Sequence, residues 1–368
     1  MSALAEPIDQ DVRDRIATAL GDNACVEAGA GTGKTTVLVR RIVELLRSGT
    51  ATVDSLAVIT FTEKAAAELS VRVRQYLESA RLAAAPGSDE HARLEDALRG
   101  LHRARIETLH AFAGGLLRER PVEAGLDPQF EVVDALGATL DFDDAYETWL
   151  GELLADDDPE LARALNRAMR VDHLRELAEA INEQRSVLPL AAIDVAPADV
   201  DAYLATFDAC VAELDRIEDT YDLPDPDVDA GIRQLPTIRR FLLQIEEVRD
   251  HRPSLERALA WAPQLKGGGA QKNWDVKQGC RDFKAVVKQL NEANALIAAD
   301  LRTEALADVM PMAGEFVVGF AAKRRRDGRL TFDDLLLWAR DLLAAHPEVL
   351  ADFRAQFSAI LVDEFQDT

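Results

Sequence analysis

Cysteine is scarce. The 368 residues hold three, Cys25, Cys210 and Cys280, far apart and with no Cys-x-x-Cys pair. That spacing suggests neither a zinc site nor a disulfide framework, and it fits three reduced, buried thiols. Long apolar runs are missing too. No stretch of 18 apolar residues occurs, so no membrane span is expected. The start, Met1 to Pro7, lacks the basic beginning and apolar core of a signal peptide, and a cytoplasmic protein is expected. Positive charge is short: 42 Lys and Arg stand against 66 Asp and Glu, a net of −24. Such a balance is unfavourable for nucleic-acid binding. The deficit is local, however. Residues 131–230 hold 27 acidic against 6 basic residues, whereas 1–130 hold 19 against 16 and 231–368 hold 20 against 20. The acidic block reads as a solvated surface or a partner-binding face.

The length allows two domains or more, and 48% hydrophobic residues supply real cores. The stretch that organises the chain is Ala28-Gly29-Ala30-Gly31-Thr32-Gly33-Lys34-Thr35. It follows a short apolar run, Ala24-Cys25-Val26, expected to be a strand, and it opens a helical pattern from Val37 to Leu46. Strand, glycine-rich turn, Lys-Thr, helix is the order that builds a phosphate cradle. Glycines let backbone N–H groups converge on phosphate oxygens, and the helix N-terminus adds free N–H groups and a positive dipole end. Lys34 is placed to reach the β- and γ-phosphates and the Thr35 hydroxyl to bind Mg²⁺, with Thr36 beside them. The usual pattern begins with Gly, and here that place is Ala28.

A second anchor lies at the far end. Ala359-Ile360-Leu361-Val362 reads as a buried strand that ends in Asp363-Glu364-Phe365-Gln366-Asp367-Thr368. An acidic pair at the carboxyl end of such a strand can hold a metal (Asp363) and supply a general base (Glu364). Leu56 to Phe61 reads as another buried strand, running into the helix that opens with Thr62-Glu63-Lys64. Arg105 to Phe112 reads as a strand entering a helix that runs to Arg120, and Phe130 to Val133 as a short strand. Strands alternating with helices imply a parallel α/β sheet flanked by helices, whose functional loops lie at the strands' carboxyl ends. Phe61, Thr62 and Lys64 suit a base stack and a phosphate contact there, or Phe61 is core and Thr62 a helix cap. Thr108 and His110 can hold phosphate or sugar groups. Gln10, 24 residues before Lys34, carries an amide able to donate to and accept from one adenine edge.

From about 135 to 330 strand signals fade and apolar spacing becomes helical: Leu161, Leu165, Met169, then Leu174, Leu177, Ile181, then Tyr203, Phe207, Val211, Leu214 and Ile217. Tyr221 to Asp227 reads as a linker. Gly267-Gly268-Gly269 is a break, with Trp274 among lysines that fit a single-strand contact or a solvated helix face. Lys323-Arg324-Arg325-Arg326 is a basic knot suited to a phosphate. Thr331 and Asp334 form a capping pair for a helix that follows, and a helix at 347–356 leads to the last strand.

Four segments occur in the order that marks one family: the glycine loop, Ile59-Thr60-Phe61-Thr62-Glu63-Lys64-Ala65-Ala66-Ala67-Glu68-Leu69, Thr108-Leu109-His110-Ala111-Phe112, and Leu361-Val362-Asp363-Glu364-Phe365-Gln366-Asp367-Thr368. Together they resemble the UvrD/Rep-like superfamily 1 DNA helicases. Leu330 to Leu336 and the long insertion look more like the RecB/AddA branch. The resemblance implies an ATP-dependent 3′ to 5′ DNA helicase of repair or recombination. It implies a P-loop RecA-like first domain (1A) made by 1–130 and 330–368, with a 1B-like helical insertion at 131–329 that grips duplex or single-stranded DNA. Carried over residue by residue, Gln10 matches the adenine reader. Ala28, Gly29, Ala30, Gly31, Thr32, Gly33, Lys34, Thr35 and Thr36 match the ATP cradle, with Thr35 and Asp363 on Mg²⁺, Glu364 as base and Gln366 as the residue that senses nucleotide. Phe61, Thr62, Thr108 and His110 match segments on single-stranded DNA. The resemblance also implies a helicase–nuclease partner subunit. It implies several hundred further residues, including a second RecA-like domain that supplies arginines to the transferring phosphoryl group. Without that domain, weak nucleotide binding and little hydrolysis are expected. The rival readings are a non-catalytic nucleotide- or DNA-binding module and a P-loop ATPase of another class; against the latter, no Leu-Ser-Gly-Gly-Gln signature occurs.

Overall fold

Helix α1 (Gln10–Thr18) precedes the glycine loop and α2 (Lys34–Ser48) follows it. Gly49, in the left-handed region at φ +80°, ends α2. Strand β1 (Leu56–Thr60) runs into α3 (Glu63–Ala83), and α4 (Asp89–Gly100) begins after the Pro86-Gly87 break, capped by Ser88. Strand β2 (Arg105–Thr108) leads to α5 (Leu109–Glu119), and β3 is Glu131–Val132. The stretch that follows is helical: α6 (Ala135–Ala155), α7 (Pro159–Asn166), α8 (Val171–Gln184), α9 (Val200–Thr220), α10 (Leu235–Val248), α11 (Arg252–Ala260) and α12 (Lys277–Asp327). The chain returns through β4 (Arg329–Leu330), α13 (Phe332–Ala345), α14 (Pro347–Gln356) and β5 (Ala359–Val362). This computed structural model describes residues 9–29, 31–156, 158–185 and 194–367. They form two compact units, one running up to Ala138 and resuming at Lys323, the other Thr139–Ala322.

In the first unit β1 lies between β2 and β5, parallel to both, with Thr60 opposite Thr108 and Ile59 opposite Val362. The register therefore brings three strand C-termini to one edge. Successive β1 side chains point to opposite faces. Leu56 and Val58 pack with Val39, Ile42, Leu69 and Leu94. Ala57 and Ile59 pack with Phe112, Leu117, Trp338 and Phe353. Helices on both faces explain why β1 reads as an unbroken apolar run. A smaller parallel pair joins β3 to β4.

Two expectations fail here. Ala24-Cys25-Val26 is not a strand: the three residues are exposed and lie outside the sheet. So short an apolar run buries little area on pairing. For the same reason Cys25 is exposed rather than buried. Cys210 and Cys280 are buried, which pushes both thiols up.

The basic knot before β4 is structural in part. Arg324 is buried and donates to the fully buried Asp334 at 3.1 Å. Arg325 donates to the Ala124 carbonyl and lies over the Trp338 ring. These two guanidiniums brace α13, whose Thr331–Asp334 capping box forms as expected, and they are not open to a phosphate.

The second unit is helical as expected. Phe142, Tyr146, Leu174, Val309 and Phe316 make one core, and Phe207, Leu214, Ile238, Phe283 and Leu301 another. Helix α12 serves both. By length and composition it is apolar enough to cross a membrane, unlike the sequence expectation, yet its Phe283, Leu290, Leu301, Val309 and Val317 are core residues. Trp274 is 5% exposed and packs against Phe283, so it offers no stacking face.

Asp229 pins the glycine break. Fully buried, it accepts from the N–H groups of Gly231 (2.9 Å), Ile232 (3.2 Å) and Ala270 (3.0 Å) and from the Asn273 amide (3.1 Å). Burial pushes its carboxyl up, but the four donors outweigh burial and hold it below the usual range. Asp229→Asn turns one acceptor oxygen into an NH₂ that faces donors. A loss of ~1.5–3 kcal/mol is expected at neutral pH. A carboxyl depressed in the fold stabilises above its unfolded pKa, near ~4, and that contribution vanishes as pH falls through the lower native value. Denaturant melts should show the gap between wild type and variant full at pH 7 and closing in acid.

Candidate functional site

The glycine loop is shaped by two left-handed residues, Gly31 at φ +74° and Gly33 at φ +90°, a region that side chains with a Cβ rarely enter. Within the loop Thr32 Oγ1 donates to the Gly29 carbonyl at 2.7 Å. Gly33 opens α2 with no side-chain cap; its carbonyl takes the Thr36 N–H at 3.0 Å, and the Lys34 and Thr35 N–H groups are left to an outside acceptor. Thr35 and Thr36 lie in that turn, and Ala30 falls outside the described residues. Helix α1 supports the loop. Arg13 is held by Asp9 through two 2.9 Å contacts, and its Nη1 donates to the Thr32 carbonyl at 2.8 Å. Gln10 donates to Asp14, whose same oxygen takes Arg40. The Gln10 side chain is thus fixed, with its amide oxygen left to accept.

Opposite the loop stands the end of β5. The Asp363 N–H donates to the Ile59 carbonyl at 2.8 Å, extending the β1–β5 ladder by one residue. Glu364 then turns the chain at φ +54°, an uncommon conformation for a residue with a side chain. The Lys34 ammonium lies 3.7 Å from the Glu364 carboxylate and 3.3 Å from the Ala28 carbonyl. The Gln366 amide donates to the same Glu364 oxygen. Burial pushes the Asp363 carboxyl up, and the Glu364 charge beside it pushes the same way. A half-buried carboxyl beside a second one supplies hard oxygen donors of the kind a divalent cation takes. The acidic strand end and the glycine loop with Lys34 thus carry the donor types that a divalent cation and a polyphosphate take.

The carboxyl ends of β1 and β2 complete this edge. Phe61 is 53% exposed, which removes the core reading. Thr62 caps α3, its hydroxyl accepting from Ala65 N–H at 3.1 Å. Lys64 is exposed and 3.9 Å from Glu68. Thr108 is buried and engaged twice, accepting from Ala111 N–H (3.2 Å) and donating to Glu63 (3.1 Å). Its side chain joins the two turns rather than facing solvent. His110 meets Phe332 edge to face at 5.6 Å. So Phe61, Lys64 and His110 present chemistry at this edge, while Thr62 and Thr108 hold it in shape. Arg13, Glu63 and Phe332 were not singled out from the sequence. Arg13 carries only the weak signal of lying one helical turn after Gln10.

The sequence model of the UvrD/REP helicase N-terminal domain matches residues 9–368. The chain belongs to this helicase family. Curated relatives include the ATP-dependent helicase/nuclease A-subunits of Staphylococcus saprophyticus (26% identical), Listeria welshimeri (28%) and Geobacillus kaustophilus (29%), each alignment covering 95% of this chain. They agree with the RecB/AddA-like branch within the UvrD/REP family. The chain spans about a third of the length of these relatives, 31–32%.

Proposed function

We propose that the chain is the nucleotide-binding portion of an ATP-dependent DNA helicase of the UvrD/RecB type, moving 3′ to 5′ on DNA in repair or recombination. In this reading the first unit is a P-loop RecA-like domain 1A. The helical stretch at 131–329 is a 1B-like insertion, and a helicase–nuclease subunit is the partner in the cytoplasm. The observation that carries it is the 3.7 Å approach of Lys34 to Glu364, which sets the glycine loop against the acidic strand end.

Bound Mg²⁺ would neutralise phosphate charge during transfer, and Thr35 and Asp363 are the residues to hold it. Ala28, Gly29, Ala30, Gly31, Thr32 and Gly33 would wrap the phosphates with backbone N–H groups, and Gln10 would read the adenine edge. Lys34 is neutralised by Glu364 when no phosphate is present. A phosphate that takes Lys34 frees the carboxylate to accept a proton from water, and Gln366 orients it. Phe61, Lys64 and His110 would meet the single strand at the neighbouring strand ends, positioned by Thr62 and Thr108.

The family's arginines on a second domain are worth roughly 10³–10⁵ in rate, so these residues alone should turn over ATP very slowly. Steady-state hydrolysis with and without single-stranded DNA tests the reading. The residual rate should fall in Glu364→Gln while nucleotide affinity stays. A residual rate indifferent to Glu364→Gln would remove Glu364 from the chemistry, and rapid DNA-stimulated turnover would contradict the expected slow rate.

A further inference from the structure

A cavity of about 660 Å³ in the second unit is lined by Leu165 and Asn166 at the end of α7, Phe241 and Gln244 on α10, and Arg257 and Trp261 on and just after α11. Its volume is that of a small-ligand site. Trp261 is 59% exposed. A single exposed aromatic is ordinary by itself, but this one stands on a fixed platform. Arg302 holds the Ala260 carbonyl at 3.1 Å, and the Asn291 amide clamps Leu265 through both its N–H and its carbonyl at 2.8 Å. The segment from 260 to 265 is therefore pinned at both ends while its indole faces solvent. Around it stand unused polar groups. The side chains of Arg257, Gln244 and Asn166 have no hydrogen-bond or ion-pair partner among the described residues.

We infer that this cavity binds one nucleotide unit of a single strand of DNA: the base on the Trp261 ring, its edge at the Gln244 and Asn166 amides, its phosphate at Arg257. Aromatic faces stack any base, an amide donates and accepts on one base edge, and a free guanidinium pairs with phosphate. Phe241, Gln244, Arg257 and Trp261 lie in a stretch that is not acidic, residues 231–322 holding 13 basic against 11 acidic residues, although Leu165 and Asn166 come from the acidic block. A pre-pinned platform also lowers the ordering cost of binding. The inference rests on the DNA reading above, to which it adds a contact distant in sequence from Phe61. It also moves the expected aromatic contact from the buried Trp274 to Trp261.

Trp274 and Trp338 are buried and Trp149 is half-buried, so Trp261 dominates the solvent-facing emission. A fluorescein-labelled thymidine 12-mer followed by anisotropy, and the unlabelled 12-mer and thymidine monophosphate followed by tryptophan quenching, test the site. The expected result is saturable quenching by the 12-mer, much weaker quenching by the monophosphate, and quenching lost in Trp261→Leu together with a loss of affinity on the order of 10-fold. Arg257→Gln should weaken binding and lower the salt slope by about one phosphate contact. Circular dichroism confirms folding of these surface variants. If the 12-mer binds with the same affinity to wild type and Trp261→Leu, this site is wrong while the helicase reading stands. If the 12-mer does not bind at all, both fall. Equal quenching by monophosphate and 12-mer would make the site one for free nucleotide and overturn the strand contact. Protection of Trp261 from acrylamide that depends only on protein concentration would make it a protein interface and overturn it too.

Discussion

Lys34→Ala is expected to abolish measurable nucleotide binding and leave the fold intact. The ammonium sits at the first position of α2, behind two left-handed glycines, with the acidic strand end as its nearest charge. Removing a cation from a charge-assisted contact costs ~2–5 kcal/mol, roughly 30- to 5,000-fold in Kd. The lost ion pair with Glu364 matters little to stability, because both side chains are partly exposed, at 28% and 43%, and such pairs contribute ~0–1 kcal/mol. A binding defect without a folding defect is thus the signature. A melt shifted by several kcal/mol would mean that Lys34 holds the loop rather than the ligand.

The largest stability effect is expected at Arg167, between α7 and α8. It is nearly buried and donates to Glu256 at 3.0 Å and to Asp308 at 3.1 Å, with Glu304 at 2.7 Å. One guanidinium thus serves three carboxylates from α11 and α12. Burial pushes the Glu256 carboxyl up, but Arg167 and Arg252 hold it below the usual range. Arg167→Ala strands those carboxylates, which costs ~3–5 kcal/mol for a broken buried ion pair. The companion Arg167→Met with Glu256→Gln should recover part of that loss, since it removes one of the three stranded charges, the most buried of them, and leaves Glu304 and Asp308. Denaturant melts of both variants check this. If Arg167→Ala melts within ~1 kcal/mol of wild type, the size of an exposed pair, the cluster is solvated and the buried network is wrong.

Much of this was legible in the sequence because local and global signals coincide. β1 and β5 are apolar runs that end in polar clusters, and parallel pairing then puts those clusters at one edge. The glycine loop, the Thr331 cap and the helical repeat from Leu161 to Ile217 follow from backbone chemistry and periodicity alone. What was not legible depends on long-range contacts. Thr108 and Trp274 look like ligand residues by type, yet Glu63, 45 residues away, takes the Thr108 hydroxyl, and Phe283 covers Trp274. The basic knot reads as a free patch until Asp334 and Ala124 are seen beside it. Ala24 to Val26 reads as a strand because three apolar residues precede the loop, yet the three are exposed and join no sheet.

The most direct measurement is a calorimetric titration of wild type and Lys34→Ala with a non-hydrolysable ATP analogue, in Mg²⁺ and in EDTA. One composite site, with the glycine loop on the phosphates and Asp363 and Thr35 on the cation, predicts binding by wild type that weakens in EDTA and no heat from Lys34→Ala in either buffer. Equal affinity in Mg²⁺ and EDTA, or undiminished binding by Lys34→Ala, would contradict it.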